Sequence, residues 1–308
     1  MAPPLIHIGY HKTGTTWLQR HVFSDQNAGF YLMPRDDIKD HIVHINALVF
    51  DPETCQETLA HHAQKASELG LQLVVSQERL SGGLHAGAYD SKENADRLAE
   101  VYPSAKILIV IREQREMCIS AYKQYLRNGG SYSLDEYLAP RRRERPGFNL
   151  GHFNYDRLIR YYISLFGKDN VCVLPFEMFR DAPSDFLAAI LEFCDVEQAD
   201  PAHFLAATDL KENATRTYLR NVVKRRLNPF LIKDHDNLGR ILYIPGFRFV
   251  AEPFLWLVDV LSPQVLEKYL EQKFSKVVSE RTRGCYAESN RLTSGLIGVD
   301  LAQYGYEV

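Results

Sequence analysis

Residues 106–111 read Lys-Ile-Leu-Ile-Val-Ile, an apolar run without polar alternation. A strand that is apolar on both faces belongs inside a sheet covered on both sides, the usual setting of parallel strands flanked by helices. Leu71 to Ser76 repeats the pattern. Leu5 to Ile8 is a shorter version, and Asn170 to Pro175 supplies another strand. Stretches with helical spacing separate these runs: one begins at Trp17 to Val22, one covers Glu113 to Leu126, and one covers Pro183 to Cys194. Apolar runs alternating with helices predict an α/β fold of three layers, with a mostly parallel central sheet flanked by helices.

The chain has 308 residues, 45% of them hydrophobic, enough for one large core. We expect a single domain over 1–308, with 205–260 as a helical basic insertion or lid. Within it, Lys211 to Arg248 carries more cations than anions, and Pro229, Pro245 and Gly246 divide it into short helices and loops. A helix is expected over Ser262 to Phe274 and a packed tail over Asp300 to Tyr306. The net charge of −3 argues against a nucleic-acid partner. The cysteines Cys55, Cys118, Cys172, Cys194 and Cys285 are odd in number and form no CxxC pair. That pattern reads as free thiols in a reducing compartment rather than disulfides or zinc, so a cytoplasmic location is expected. The N-terminus shows no secretory signal. Phe249 to Leu261 is interrupted by Glu252, Pro253 and Asp259, so no integral membrane segment is expected. Asn213-Ala-Thr215 matches a glycosylation sequon by chance in such a compartment.

Gly9-Tyr-His-Lys-Thr-Gly-Thr-Thr-Trp17 follows the first strand and opens a helix. Backbone N–H groups at such a turn form an anion site. Gly14 allows close backbone approach, and Thr13, Thr15 and Thr16 add hydroxyl donors. Gly9 and Gly14 have the spacing of the nucleotide-triphosphatase loop, but Thr15 stands where its lysine should be. The lysine is Lys12, inside the turn, and the 106–111 strand leads into Arg112 rather than an aspartate for magnesium. Both departures weaken a kinase or hydrolase reading, while the turn still resembles that of P-loop-containing nucleotide-binding folds.

The stretch from His11 through Lys12, Thr13, Gly14, Thr15 and Thr16 to Trp17 resembles the 5′-phosphosulfate loop of PAPS-dependent sulfotransferases, Pro-Lys-[Ser/Thr]-Gly-Thr-[Thr/Ser]-Trp. His11 replaces the proline. The resemblance extends to Arg112 and Ser120, which match the arginine and serine of the family's 3′-phosphate motif, with Glu113-Gln114 in place of Asn-Pro. An arginine offers a bidentate, permanently charged fork to a phosphate. Phe176, before Glu177-Met178, stands where the family often has a tyrosine near adenine; a core aromatic is the competing role. Arg283-Gly284, in Arg281-Thr-Arg-Gly, resembles loosely the basic element that closes on the 3′-phosphate; an exposed basic turn is the alternative. The resemblance implies a sulfotransferase of the bacterial or carbohydrate type that uses 3′-phosphoadenosine-5′-phosphosulfate (PAPS), releases 3′,5′-ADP and needs no metal.

Sulfuryl transfer depends on positioning and charge stabilisation, and an acceptor hydroxyl also needs a general base. Lys12 is the expected stabiliser of the leaving phosphate. Glu78, directly after the 71–76 strand, is the expected base; pairing with Arg79 or Arg112 is its competing structural role. Asp37, His41 and His44 are the alternative bases. The basic 211–248 segment and Arg141 to Arg145 suit an anionic acceptor or form a solvated face. A carbohydrate or small metabolite is the expected acceptor, through a hydroxyl or an amine, and the sequence leaves a homodimer open. The alternatives are a P-loop kinase or hydrolase and a non-catalytic nucleotide-binding module.

Overall fold

The apolar runs become one parallel sheet in the computed structural model, which describes residues 2–139, 147–196, 199–206, 217–231 and 244–308. Its strands are β1 (Leu5–His7), β2 (Phe30–Leu32), β3 (Gln72–Ser76), β4 (Lys106–Ile111) and β5 (Val171–Pro175), in the order β2-β3-β1-β4-β5. Every neighbouring pair is parallel, with Leu5 opposite both Val74 and Lys106 and with Ile111 opposite Pro175. β4 has the bounds its sequence predicts, and both it and β3 are interior strands. β2 is a strand that the sequence reading lacks. It is an edge strand of three residues, and the Phe30-Tyr-Leu-Met33 run is too short to show a strand period.

The chain divides into two compact units: Met1–Glu113, Gly151–Leu210 and Tyr286–Val308 form one, and Gln114–Leu150 with Lys211–Cys285 form the other. The first unit holds the sheet. Leu5, Val74, Leu108 and Val110 meet Trp17, Phe23, Phe186 and Ile190 in one buried cluster. Each large apolar side chain so buried contributes roughly 1.5–3 kcal/mol. The helix Pro183–Phe193 supplies Phe186 and Ile190, close to its expected bounds. Leu301 and Tyr306 are buried, so the C-terminal tail packs as anticipated.

The second unit is helical among its described residues: Gln114–Arg127, Leu134–Leu138, Tyr218–Leu231, Arg248–Leu261 and Gln264–Thr282. Tyr122 sits at its centre, with ring centroids 5.5 Å from Tyr137 and 5.7 Å from Phe274. Ser133 and Glu136 form a capping box at the start of the Leu134–Leu138 helix. Pro229 was expected to break the chain, yet Tyr218–Leu231 continues past it. Pro229 lies in the last turn of that helix, and the preceding Asn228 is anchored by its amide to the Leu126 and Gly130 carbonyls at 2.8 and 2.6 Å. Arg141 to Arg145, Lys211, Asn213, Arg216, Lys233 and Arg240 lie outside the described residues.

Candidate active site

From β1 the chain turns towards β2 on one side of the sheet, and from β4 towards β5 on the other. The carboxyl ends of β1 and β4 therefore border the topological switch point, where open α/β sheets hold ligands. The Gly9–Trp17 turn leaves one of these strands and Arg112 leaves the other.

The turn starts as an extension of β1, with the Ile8 and Tyr10 N–H groups donating to Leu108 and Val110 at 3.0 and 3.2 Å. It then folds back through two left-handed residues, Lys12 at φ 70° and Gly14 at φ 80°. That conformation costs a side-chain-bearing residue about 1–2 kcal/mol, so the loop holds strain at Lys12. The Thr13 hydroxyl locks the fold-back by donating to the Tyr10 carbonyl. Gly9 is required on steric grounds: a Cβ there would lie 2.5 Å from His7 Nε2 and 3.0 Å from Thr15 Oγ1. The helix Thr15–Leu18 follows with Gly14 as an N-cap that offers no side-chain hydrogen bond. Thr15 Oγ1 is buried with no hydrogen-bond partner. A buried, unpartnered hydroxyl thus lies in an uncapped first helical turn, an arrangement suited to a bound anion.

Arg112 joins this turn. Its Nη1 donates to the Lys12 carbonyl at 3.0 Å, and its guanidinium lies 4.9 Å from the centre of the Phe176 ring. Phe176 opens the helix Phe176–Asp181, and a Cβ on Gly14 would come within 3.2 Å of it. Lys12, Gly14, Arg112 and Phe176 are thus one cluster built from the ends of β1, β4 and β5. Residues that sequence reasoning missed hold it in place. The Tyr155 hydroxyl donates to the Arg112 carbonyl at 2.5 Å and accepts from the Arg112 N–H at 3.4 Å. Buried Glu177 accepts from the Glu113 N–H and from the Tyr306 hydroxyl, both at 2.9 Å. Only the Phe176-Glu177-Met178 segment hinted at this bracket; Tyr155 and Tyr306 carry no local signal.

The Glu78 turn is bound to the loop at two points. Gln77 N–H donates to the His7 carbonyl at 3.3 Å, and His11 Nε2 meets the Gly82 carbonyl at 3.2 Å. Burial lowers the His11 pKa, outweighing the opposite pull of the Glu78 carboxylate. Glu78 pairs with Arg35 at 2.9 Å rather than with Arg79 or Arg112; Arg79 instead pairs with Asp90 at 3.0 Å. Asp37 accepts from His62 at 2.9 Å, and His62 also meets the Tyr31 hydroxyl at 3.1 Å, which gives Asp37 a structural partner. His41 and His44 sit on and just after the Lys39–Val43 turn. Trp17 packs into the core with its ring 4.8 Å from Phe179. Ser120, half-buried on Gln114–Arg127, and Arg283-Gly284, at the end of Gln264–Thr282, belong to the second unit. Among the described residues, no group of three or more His, Cys, Asp or Glu side chains is arranged to hold a metal ion.

Two further histidines flank the turn. His7 is buried and His152 half-buried, and desolvation lowers both from an ordinary 6.5 to about 3. Between those values the unfolded chain binds protons that the native chain excludes, so native stability falls as pH drops from about 6.5 towards 3. The urea midpoint is expected to decline steadily across that range, and a His7→Gln/His152→Gln variant to show a shallower slope. An equal slope in both proteins would refute the assignment.

A strand–turn–helix of this geometry at the switch point of a five-stranded parallel sheet defines a P-loop-like α/β fold. A family model described as "Sulfotransferase family" matches residues 3–200, and this chain belongs to the sulfotransferase family. The solved structures similar to it include a sulfotransferase from Alicyclobacillus acidocaldarius, with 17% identity, 99% of each chain covered and a TM-score of 0.52. They also include mouse sulfotransferase SULT7A1 complexed with PAP, with 13% identity, 96% of this chain and 89% of that chain covered and a TM-score of 0.44. The likeness to the Alicyclobacillus acidocaldarius structure concerns the fold. Comparison with curated proteins gives no match.

Proposed function

We propose that this sulfotransferase moves a sulfuryl group in line from PAPS to a hydroxyl or amine of a carbohydrate or small metabolite. The observation that carries the reading is the unpartnered, buried Thr15 hydroxyl inside a turn whose strained residue is Lys12. A nucleotide 5′-phosphate fits that turn: it would accept from the first-turn N–H groups and from the Thr15 and Thr16 hydroxyls. PAPS supplies the activated sulfuryl group when bound. Lys12 stabilises the charge that develops on the departing 5′-phosphate oxygen. Arg112 holds the 3′-phosphate, and its contact with Phe176 supports an adenine-facing position for that ring. Glu78 takes the proton of an acceptor hydroxyl. The 3′-phosphate role of Ser120, Arg283 and Gly284 rests on the resemblance alone.

The nucleotide is tested by thermal shift with 3′,5′-ADP, 5′-AMP and ATP. We expect magnesium-independent stabilisation by 3′,5′-ADP, on the order of 2.7 kcal/mol at 100-fold excess over Kd, and much less from 5′-AMP. Stabilisation by ATP only with magnesium, and none by 3′,5′-ADP, would replace this reading with a kinase or hydrolase.

A further inference from the structure

The helix Arg248–Leu261 in the second unit is built inside out. Ala251 and Leu255 face inward, and so do its two acids. Glu252 and Asp259 are held at 2.9 and 3.0 Å by the guanidinium of Arg220, itself 5% exposed. Asp259 also accepts from the Thr217 hydroxyl at 2.7 Å. The opposite face carries Phe249, Val250, Phe254, Trp256, Val260 and Leu261, with Phe249 85% and Trp256 63% exposed. A helix meant for water places its charges outward and its apolar stripe inward. Here both acids are drawn to buried Arg220, although their side chains stay half-buried, and one apolar stripe is left outside. Over the helix's 14 residues that stripe runs about 21 Å. Val265 and Tyr269 extend it past a 102° bend, and solvent-facing patches of this size mark docking surfaces.

Charge identifies the occupant. The exposed charged residues at the two ends of the stripe are Arg248 at one and Lys268 with Glu271 at the other. All three acids between them in sequence are turned to internal partners: Glu252 and Asp259 to Arg220, and Glu267 to the Tyr218 and Leu219 N–H groups. A second copy docked on this stripe would set Arg248 and Lys268 against its own cations, with Glu271 the one exposed acid in the segment 248–271. An anionic lipid surface answers both ends, and exposed Trp and Tyr rings suit the headgroup boundary. No single helix among the described residues is long and apolar enough to cross a membrane; Arg248–Leu261 and Gln264–Thr282 reach that length and hydropathy only together, across the 102° bend. We propose that the outward face of Arg248–Leu261 seats this chain on anionic membrane surfaces.

The test is flotation of the full chain with phosphatidylcholine vesicles, with and without phosphatidylglycerol. Tryptophan emission is read in parallel. The chain has two tryptophans, and Trp17 is buried in the first unit, so a blue shift on vesicles reports Trp256. We expect flotation with phosphatidylglycerol vesicles and a blue shift, with binding at least tenfold weaker on phosphatidylcholine alone. Arg248→Glu/Lys268→Glu should weaken binding at least tenfold. Phe249→Ser/Trp256→Ser should abolish flotation while turnover of a water-soluble acceptor is retained. No flotation of the folded wild-type chain with either vesicle overturns the proposal. So does a concentration-dependent dimer that Phe249→Ser/Trp256→Ser dissolves, because that result gives the face to a second copy.

Discussion

Replacing Lys12 with alanine is expected to lower kcat by roughly 100- to 1,000-fold, the usual cost of removing one group that meets charge developing in a transition state. The fold should survive, because Lys12 is half-buried on a turn whose shape depends on Gly9, Gly14 and the Thr13–Tyr10 bond. Lys12→Gly sharpens the test. Glycine adopts φ 70° without the steric cost that a side chain bears there. That variant should be equally inactive, yet melt at the wild-type temperature or above. Steady-state rates and melting curves on the two variants separate a chemical role from a structural one. Near-normal turnover in a folded Lys12→Ala protein would remove the central mechanistic claim.

Glu78→Gln is expected to reduce kcat by about 100-fold with a hydroxyl acceptor. The replacement keeps an oxygen for the Arg35 contact at 2.9 Å, so the turn should hold its place. Affinity for 3′,5′-ADP, measured by calorimetry, should stay at the wild-type value, since Glu78 is assigned to the acceptor rather than the donor. An unchanged rate would exclude Glu78 as the base. A parallel loss of nucleotide affinity would instead make it a support for the loop, acting through the Gly82–His11 bond.

The features legible in the sequence are those encoded by neighbours along the chain. Lys106–Ile111 announces a strand covered on both faces because each of its residues can be read without knowing what packs on it. The Gly9–Trp17 turn is equally local: Gly9 and Gly14 sit where a Cβ would collide or the backbone must turn left-handed, and Lys12 is adjacent. β2 escaped because Phe30–Leu32 is too short to show a period. The partner of Glu78 escaped because Arg35 lies 43 positions away. The Arg112 bracket escaped for the same reason, since Tyr155 stands 43 positions from it.

The helix Arg248–Leu261 marks the boundary between the two kinds of information. Its composition already shows an apolar helix with two acids, and a local pattern cannot say which face turns inward. Arg220, 32 positions before Glu252, makes that choice by drawing the acids in and leaving the aromatic side outside. Amino-acid order alone determined the α/β layering and the position of Lys12 in a phosphate-type turn, because hydrophobic period and glycine sterics act between near neighbours. Tertiary structure alone decided what clamps Arg112, what Glu78 pairs with and which helix face meets the outside, because hydrogen bonds and ion pairs form between groups that only folding brings together.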